Sequence, residues 1–540
     1  MRLGLLLLIG VSVGCGSSTP VGAIRFHNAA PVWRVNDKVP QDQEPSERGF
    51  WRNLYKLDGA FARRTTRALD LRADKPALDI NAVDEVPDST WFTNRIGMRE
   101  MSIDELKRGP NVSPSPFDHR PWTITGAKVG GRSLGFTFED GLQRKFLLKF
   151  DTLDLPEAET AAHIIGHRLI WAMGYNVPED RVGYIHRADL VIGPKARKNG
   201  FDEARLDAAL KTVNQGDDGS IRVLASMFVP GKPIGPYSRE GVRRDDKNDL
   251  IPHERRRSVR GQYSIFAWLD HTDVKEDNTL DTFEDGFVHH YLIDFGKAFG
   301  VMGTFEKDPS NGHRFLLDVP SALKDLVMFG FRRHPWEGMK QPPIRGIGLY
   351  DNEHYDPGTW SSQLPYWPLL DADRFDKFWG AKILMRFKPH EIAAIVDEAQ
   401  FSDPAAKRYM IDTLLLRQRA TGRYWFDRVA PLDRFTAEST ARGARVCFID
   451  LMLSYLLRTS PTTYAIDTYD RHGTRIGDVQ TVHAGARGLT CTNAPLATDA
   501  DGYTILRLRV QRDLREMPPV VVHIARAAGG RLEIIGLRRR

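Results

Sequence analysis

Cysteine is scarce in this chain: three residues in 540, at positions 15, 447 and 491. So sparse a set excludes a disulfide-stapled scaffold. No C-x-x-C pair or close Cys/His cluster accompanies them, which argues against structural zinc. Long apolar runs are lacking too. Leu3 to Val13 is too short to cross a bilayer as a helix, and no other segment reaches the length and apolarity of a span. No internal repeat is found, and no low-complexity tract beyond residues 16–20. Charge of one sign is also absent. Lys and Arg number 76 against 70 Asp and Glu, a net +6, too mild a balance to argue for nucleic acid as a partner. The local triplets Arg255–Arg257 and Arg538–Arg540 read as solvated basic clusters. There is no G-x-S-x-G and no Walker A sequence, so α/β-hydrolase and P-loop chemistry lack support.

What is present is a chain long enough for two to four domains, with 41% hydrophobic residues to build their cores. Met1-Arg2 followed by Leu3–Val13 reads as a secretory leader over residues 1–14. Ser12-Val13-Gly14-Cys15 reads as a bacterial lipobox, with Ser12 a less usual choice than Leu, so Cys15 is the expected site of lipidation. Gly16-Ser17-Ser18-Thr19-Pro20 continues it as a flexible tether, and residues 15–45 as a whole read as linker. This places the chain at a bacterial cell envelope, anchored to the membrane through an N-terminal lipid. Cys447 and Cys491 then form either one disulfide or a pair of buried thiols.

The densest chemistry lies in His271-Thr272-Asp273-Val274-Lys275-Glu276-Asp277-Asn278, with Asp294-Phe295-Gly296 sixteen residues after Asn278. An apolar helical run, Gln262–Leu269, leads into the first segment. A hairpin turning at Glu284-Asp285-Gly286 leads to the second. Carboxylate, lysine and amide at these spacings suit phosphoryl transfer, which needs an oriented hydroxyl, metal-holding oxygens and a cation beside the moving phosphoryl group.

These two segments resemble the protein-kinase-like superfamily, whose pattern reads H-R-D-L-K-x-x-N followed by D-F-G. The helix followed by Gly174-Tyr175-Asn176-Val177-Pro178 looks more like HipA-type and other atypical kinases than eukaryotic ones. The resemblance implies that Asp273 orients the acceptor hydroxyl, Lys275 stabilises the γ-phosphoryl charge, and Asn278 and Asp294 hold Mg²⁺. It also implies that Lys149 grips the phosphates of ATP or another nucleotide. Thr272 stands where those kinases carry arginine, which implies no arginine bridge to a phosphorylated activation loop.

The flanking sequence gives the expected frame. Residues 46–118 read as an N-terminal extension with an amphipathic helix from Phe50 to Asp70. Residues 119–232 read as a small lobe. In it Trp122–Phe150 is strand-rich and glycine-interrupted, with Gly130, Gly131 and Gly135 placed to approach phosphate oxygens. Their order is not the kinase G-x-G-x-x-G, and a plain hairpin is the competing reading. Lys145 and Lys149 share one strand parity, so alternation does not separate them. Pro156–Gly174 reads as a helix with Glu159 in its first turn. That residue is either the lysine's partner or a helix-dipole charge. Ile221–Val229 is a strand at the place of an inter-lobe hinge.

Residues 233–433 read as a helical large lobe, with helices over Asp371–Phe387, Pro389–Ala399 and from Pro404 to about Val429. Between Gly330 and Tyr366, an aromatic-rich stretch is either a binding loop or a packed insertion. Residues 434–540 read as an all-β, sandwich-like domain. His163 and His167 have metal-ligand spacing on one helix but no evident third ligand. The expected class is α+β: a two-lobed kinase-like fold with a helical N-terminal extension and a C-terminal β domain.

The expected function is an envelope-anchored phosphotransferase using a Mg-nucleotide, its acceptor a protein or small molecule. ATP is scarce outside the cytoplasmic membrane. A pseudokinase or ligand-binding module, and a non-enzymatic envelope scaffold, therefore stand as alternatives.

Overall fold

Phe136 and Phe138 flank Thr137, and Phe146, Leu148 and Phe150 alternate with Lys145, Leu147 and Lys149; this period of two builds the central sheet. A computed structural model describes residues 20–69, 75–127, 134–303, 307–329 and 331–540. Strands β1 (Trp122–Ala127), β2 (Gly135–Glu139), β3 (Lys145–Phe150), β4 (Asp180–Ile185), β5 (Leu190–Ile192) and β6 (Ile221–Met227) lie in the order β4-β6-β3-β2-β1-β5. All pairings are antiparallel except β1 with β5. One face carries the apolar core of Trp122, Ile124, Phe136, Phe146, Leu148 and Val223. The same alternation sends Lys145, Leu147 and Lys149 to the other face, where Lys145 is exposed and Lys149 buried.

The chain is α+β and forms two compact units, Val32–Pro431 with Leu451–Thr459, and residues up to Pro31 with Leu432–Asp450 and Ser460–Arg540. The larger unit holds the central sheet and most of the helices. Its Ala158–Met173 helix starts two residues later than Pro156 suggests. Glu157 is held at φ +71°, and its carboxylate accepts from Ser402 N at 2.9 Å and Arg345 Nε at 2.8 Å, so tertiary bonds keep it out of the first turn. Gly174 ends the helix at φ +129°, where a Cβ would overlap the Phe92 ring. The Gln262–Leu269 helix is apolar all round and wholly buried, as such a sequence requires. Ser264 Oγ and Trp268 Nε1 tie it to the carbonyls of Lys377 and Leu414 at 2.7 and 2.9 Å. Those carbonyls belong to the helices Arg374–Leu384 and Pro404–Phe426. The first of these is shorter than Asp371–Phe387, because the Asp373 side chain caps it by accepting from Phe375 N and Asp376 N. Pro389–Asp397 is the remaining helix of this group.

Strands β7 (Lys232–Pro233), β8 (Thr279–Glu284) and β9 (Phe287–Leu292) form a small antiparallel sheet. Residues 330–366 were open between binding loop and packed insertion; their buried Tyr350, Trp360 and Tyr366 make much of the segment a packed one. Between Phe50 and Asp70 the chain is helical over Arg52–Leu57 and Arg63–Ala68, joined by a π-type turn at Asp58–Ala62. Trp51, Leu54, Leu57 and Phe61 point to solvent from it, whereas Tyr55 and Gly59 are buried. Residues 32–45, expected as linker, make defined contacts: Asp37 accepts from Thr90 N at 2.6 Å, and Gln41 is buried.

The smaller unit is built of antiparallel strands. Strands β10 (Leu432–Thr440) and β11 (Gly443–Asp450) form one sheet with β14. A second runs β13-β12-β15-β17-β18, with β16 on the edge of β15. Their spans are β12 Thr462–Asp470, β13 Gln480–His483, β14 Leu489–Ala494, β15 Thr504–Arg512, β16 Arg515–Glu516, β17 Val520–Arg526 and β18 Leu532–Arg539. Phe26 packs edge-on to His523, and its N–H donates to Tyr503 Oη at 2.8 Å. Cys447 and Cys491 are direct partners across β11 and β14 and are joined as a disulfide.

Candidate active site

Strand register puts Lys149 opposite Gly135, so no neighbouring side chain crowds it from β2. Its ammonium is buried and donates to Asp294 Oδ1 at 2.7 Å. Burial alone would push the ammonium's pKa down. The carboxylates of Asp294 and Glu159 outweigh that and hold it above the ordinary range, so Lys149 is charged. Glu159 rises from the first turn of its helix and packs on Gly296. A Cβ there would lie 2.9 Å from Glu159 Cγ and 3.2 Å from its Oε1.

The second half of the site begins where the Gln262–Leu269 helix stops at Asp270, in a left-handed conformation with φ +50°. The extended loop that follows presents Asp273. Both its oxygens accept from Lys275 Nζ, at 2.9 and 2.8 Å, and Oδ2 also accepts from Lys297 Nζ at 2.9 Å. Asn278 Nδ2 donates back to the Asp273 carbonyl at 2.6 Å and to its Oδ2 at 3.2 Å. Burial would raise the Asp273 carboxyl, but the two lysines lower it to about 2, and it is ionised. The β8–β9 hairpin then returns the chain, and Ile293 N donates to the Asn278 carbonyl at 3.1 Å, locking Asp294 beside the loop.

Asp294 is held at φ +65°, uncommon for a residue with a side chain. The buried ring of Phe295 fixes it there. That ring packs against His271, His163 and His167 at centroid distances of 6.0, 5.6 and 6.2 Å. Burial holds the His271 imidazole down near 4, so it is neutral packing rather than a proton carrier at neutral pH. Behind Phe295, Asp180 receives His163 Nε2 at 2.7 Å and lies 3.7 Å from His167 Nε2. His167 also meets the Pro178 carbonyl at 2.6 Å, and burial brings it down to about 3. The His163/His167 pair thus serves a buried carboxylate. No group of three His, Cys, Asp or Glu side chains poised for a metal is found among the described residues.

The structure therefore brings Lys149, Glu159, Asp273, Lys275, Asn278 and Asp294 to one place. Gly135 joins them through β2, whereas Gly130 and Gly131 lie outside the described residues, as does Cys15. Cys447 and Cys491 belong to the other unit. Lys145, the competing lysine, is exposed at the far end of β3. Sequence reasoning missed Lys297. The available signal was its position three residues after Asp294, inside the turn closed by Ala298 N to the Phe295 carbonyl at 3.1 Å. It also missed how the loop is covered. Lys307 pairs with Asp270, Trp360 Nε1 donates to Asp270 Oδ1 at 3.2 Å, and Gln363 N donates to the Thr272 carbonyl at 2.8 Å.

No protein-family model matches this chain, and no curated protein matches it. Among solved structures, it is similar to the crystal structure of the Golgi casein kinase with Mn/ADP bound, at 12% identity and a TM-score of 0.29, over 72% of this chain and 92% of that one. A second structure of the Golgi casein kinase matches at 12% identity and a TM-score of 0.27, over 72% and 93%.

Proposed function

We propose that the chain is a kinase-like phosphotransferase that uses a Mg-nucleotide, held at a bacterial cell envelope by lipid on Cys15. In this reading residues 119–232 act as a small lobe and 233–433 as a large lobe, with 46–118 as an extension. The β strands from 434 onward form a sandwich-like domain. The observation that carries the reading is the pairing of Asp294 with Lys149 and of Asp273 with Lys275 and Lys297, the two pairs linked by Lys297, which also feels the charge of Asp294.

The donor set fits the implied cation. Asp294 is about a third exposed and offers carboxylate oxygens, and Asn278, whose Nδ2 is turned to Asp273, has its amide oxygen on the other side. These are hard oxygen donors of the kind Mg²⁺ shares with phosphates. Asp294 and Asn278 would hold the ion, which supplies charge neutralisation to the nucleotide's phosphates when bound. Lys149 grips the α- and β-phosphates from β3. Lys275 and Lys297 face the transferred group. Asp273 accepts a hydrogen bond from the acceptor hydroxyl and aims its oxygen at the γ-phosphorus. As the new P–O bond forms, the bond from that phosphorus to the β–γ bridging oxygen breaks, the nucleoside diphosphate leaves with that electron pair, and the hydroxyl proton passes late to Asp273.

With two ammonium groups on it, Asp273 is a weak base, suited to orienting a hydroxyl rather than removing its proton early. The same pairing favours a second reading, a nucleotide-binding module that transfers nothing. Labelled phosphate incorporation into the protein or a small hydroxyl acceptor, lost in Asp273→Ala, separates the two. A thermal shift by ATP or GTP that needs Mg²⁺ is expected under the first. No shift with any nucleotide rejects both.

A further inference from the structure

Asp318 caps a helix, Val319–Val327, by accepting from Ser321 N at 3.2 Å. None of the helix's residues is buried. Leu323, Leu326 and Val327 lie one turn apart on one face and are 56%, 72% and 72% exposed. Phe329 and Phe331 follow at 86% and 87%. Arg64 ties this segment to the helical region that carries the exposed Trp51, Leu54 and Leu57. It donates to the Leu317 carbonyl at 3.3 Å and lies over the Phe315 ring at 5.1 Å. Scattered exposed leucines need no explanation, but a contiguous apolar helix face ending in two aromatics does.

The charges beside it say what covers it. Lys324 is exposed on the helix and Arg333 is exposed just past Phe331, while Arg332 and His334 lie on Asp325. The acids of the segment are neutralised locally, Asp318 by Arg64 at 3.8 Å and Asp325 by Arg332 at 3.0 Å. An apolar face bordered by cations, with aromatics at the junction, complements an anionic bilayer surface. A second copy on the same face would double the cations of the patch, Lys324 and Arg333, without adding unpaired acids to meet them, since a two-fold interface repeats the same surface.

We propose that the helix Val319–Val327, with the exposed rings of Phe329 and Phe331, is an interfacial membrane-docking element that lies on anionic lipid. The proposal does not require the lipid expected on Cys15, and the test removes it. The full chain carrying Cys15→Ser is sedimented with vesicles of phosphatidylglycerol and phosphatidylethanolamine, and with vesicles of phosphatidylcholine alone. Binding to the anionic vesicles is expected. It should fall about tenfold or more in Leu326→Asp/Phe329→Asp. In Lys324→Glu/Arg333→Glu the preference for anionic lipid should vanish. All four positions are exposed or lie in an exposed segment, so unchanged thermal melting is expected in both variants. Absence of vesicle binding, equal binding by the wild type and Leu326→Asp/Phe329→Asp, or a stable dimer that the same variant dissociates would each overturn the proposal.

Discussion

Lys297 Nζ lies 2.9 Å from Asp273 Oδ2, joining the turn after Asp294 to the loop that carries the proposed hydroxyl-orienting carboxylate. Two segments that each hold one acid are thereby closed on each other by a cation. Lys297→Met leaves Asp273 with one ammonium partner, Lys275, beside the amide of Asn278. Phosphoryl transfer in a single-turnover assay is expected to fall roughly 10²-fold, the usual size for loss of one preorganised charge at a reacting group. Nucleotide affinity should change by less than about tenfold, because Lys149 and Asp294 remain. Lys297→Arg should recover part of the rate. Wild-type turnover in Lys297→Met would remove this residue from the chemistry.

Gly296 leaves room for Glu159. An added methyl would sit 2.9 Å from Glu159 Cγ, and the backbone there does not demand glycine, so Gly296→Ala acts by displacing the buried Glu159 side chain. Lys149 then loses part of the support of one of the carboxylates, Asp294, Glu159 and Asp180, that keep it charged despite burial. The expected outcome is weaker nucleotide binding by calorimetry, with a stability change of about 1 kcal/mol or less. Glu159→Gln should weaken binding similarly. If Glu159→Gln binds nucleotide as the wild type does, Glu159 serves only its helix terminus.

Much of this geometry was legible because it is local. Asp273, Asn278 and Asp294 sit on one continuous path of loop, hairpin and turn, so their spacing nearly dictates their neighbourhood. Lys149 was placed by the kinase resemblance, at the end of the third strand, and strand parity could not separate it from Lys145. Only the helix and turn packed over one end of β3 do that. Glu157 was unreadable because its left-handed backbone is held by Ser402 and Arg345, far along the chain. The Asp318 cap and Pro320 together signalled the Val319–Val327 helix and were overlooked. Periodicity at Trp51, Leu54 and Leu57 revealed an apolar side but not that it faces outward.

Acid should destabilise the larger unit through its buried histidines. Burial lowers His167 to about 3 and His271 to about 4 in the folded chain. Unfolded imidazoles bind protons near pH 6.5. Between those values the unfolded state holds more protons, so stability is complete above about pH 7 and is lost as pH falls toward 4. Each such histidine can withdraw roughly 3 kcal/mol across that window. Asp273 acts in the same direction at lower pH: its depressed carboxyl stabilises the fold above about pH 4 and ceases to as pH approaches 2. Thermal melting at steps from pH 8 to 5 is expected to show a falling midpoint, and His167→Gln should flatten the slope. A midpoint independent of pH across that range would show that these rings titrate normally in the fold.

The smaller unit should depend on its disulfide. Cys447 and Cys491 are direct cross-strand partners and enclose 44 residues of sequence separation, including β12 and β13. Closing a loop of that length restricts the unfolded chain by about 4 kcal/mol in the chain-entropy account. Reduction therefore favours unfolding without disturbing the folded core of Ile505, Val521 and Ile535, which the bridge does not touch. A melting transition of the smaller unit should move down on reduction, and Cys447→Ala/Cys491→Ala should reproduce the shift. Mg-nucleotide binding in the larger unit should survive, because every residue proposed to hold nucleotide lies between Gly130 and Lys297. Loss of nucleotide binding on reduction, with the larger unit still folded, would mean that the site needs the β strands after Leu432 as well.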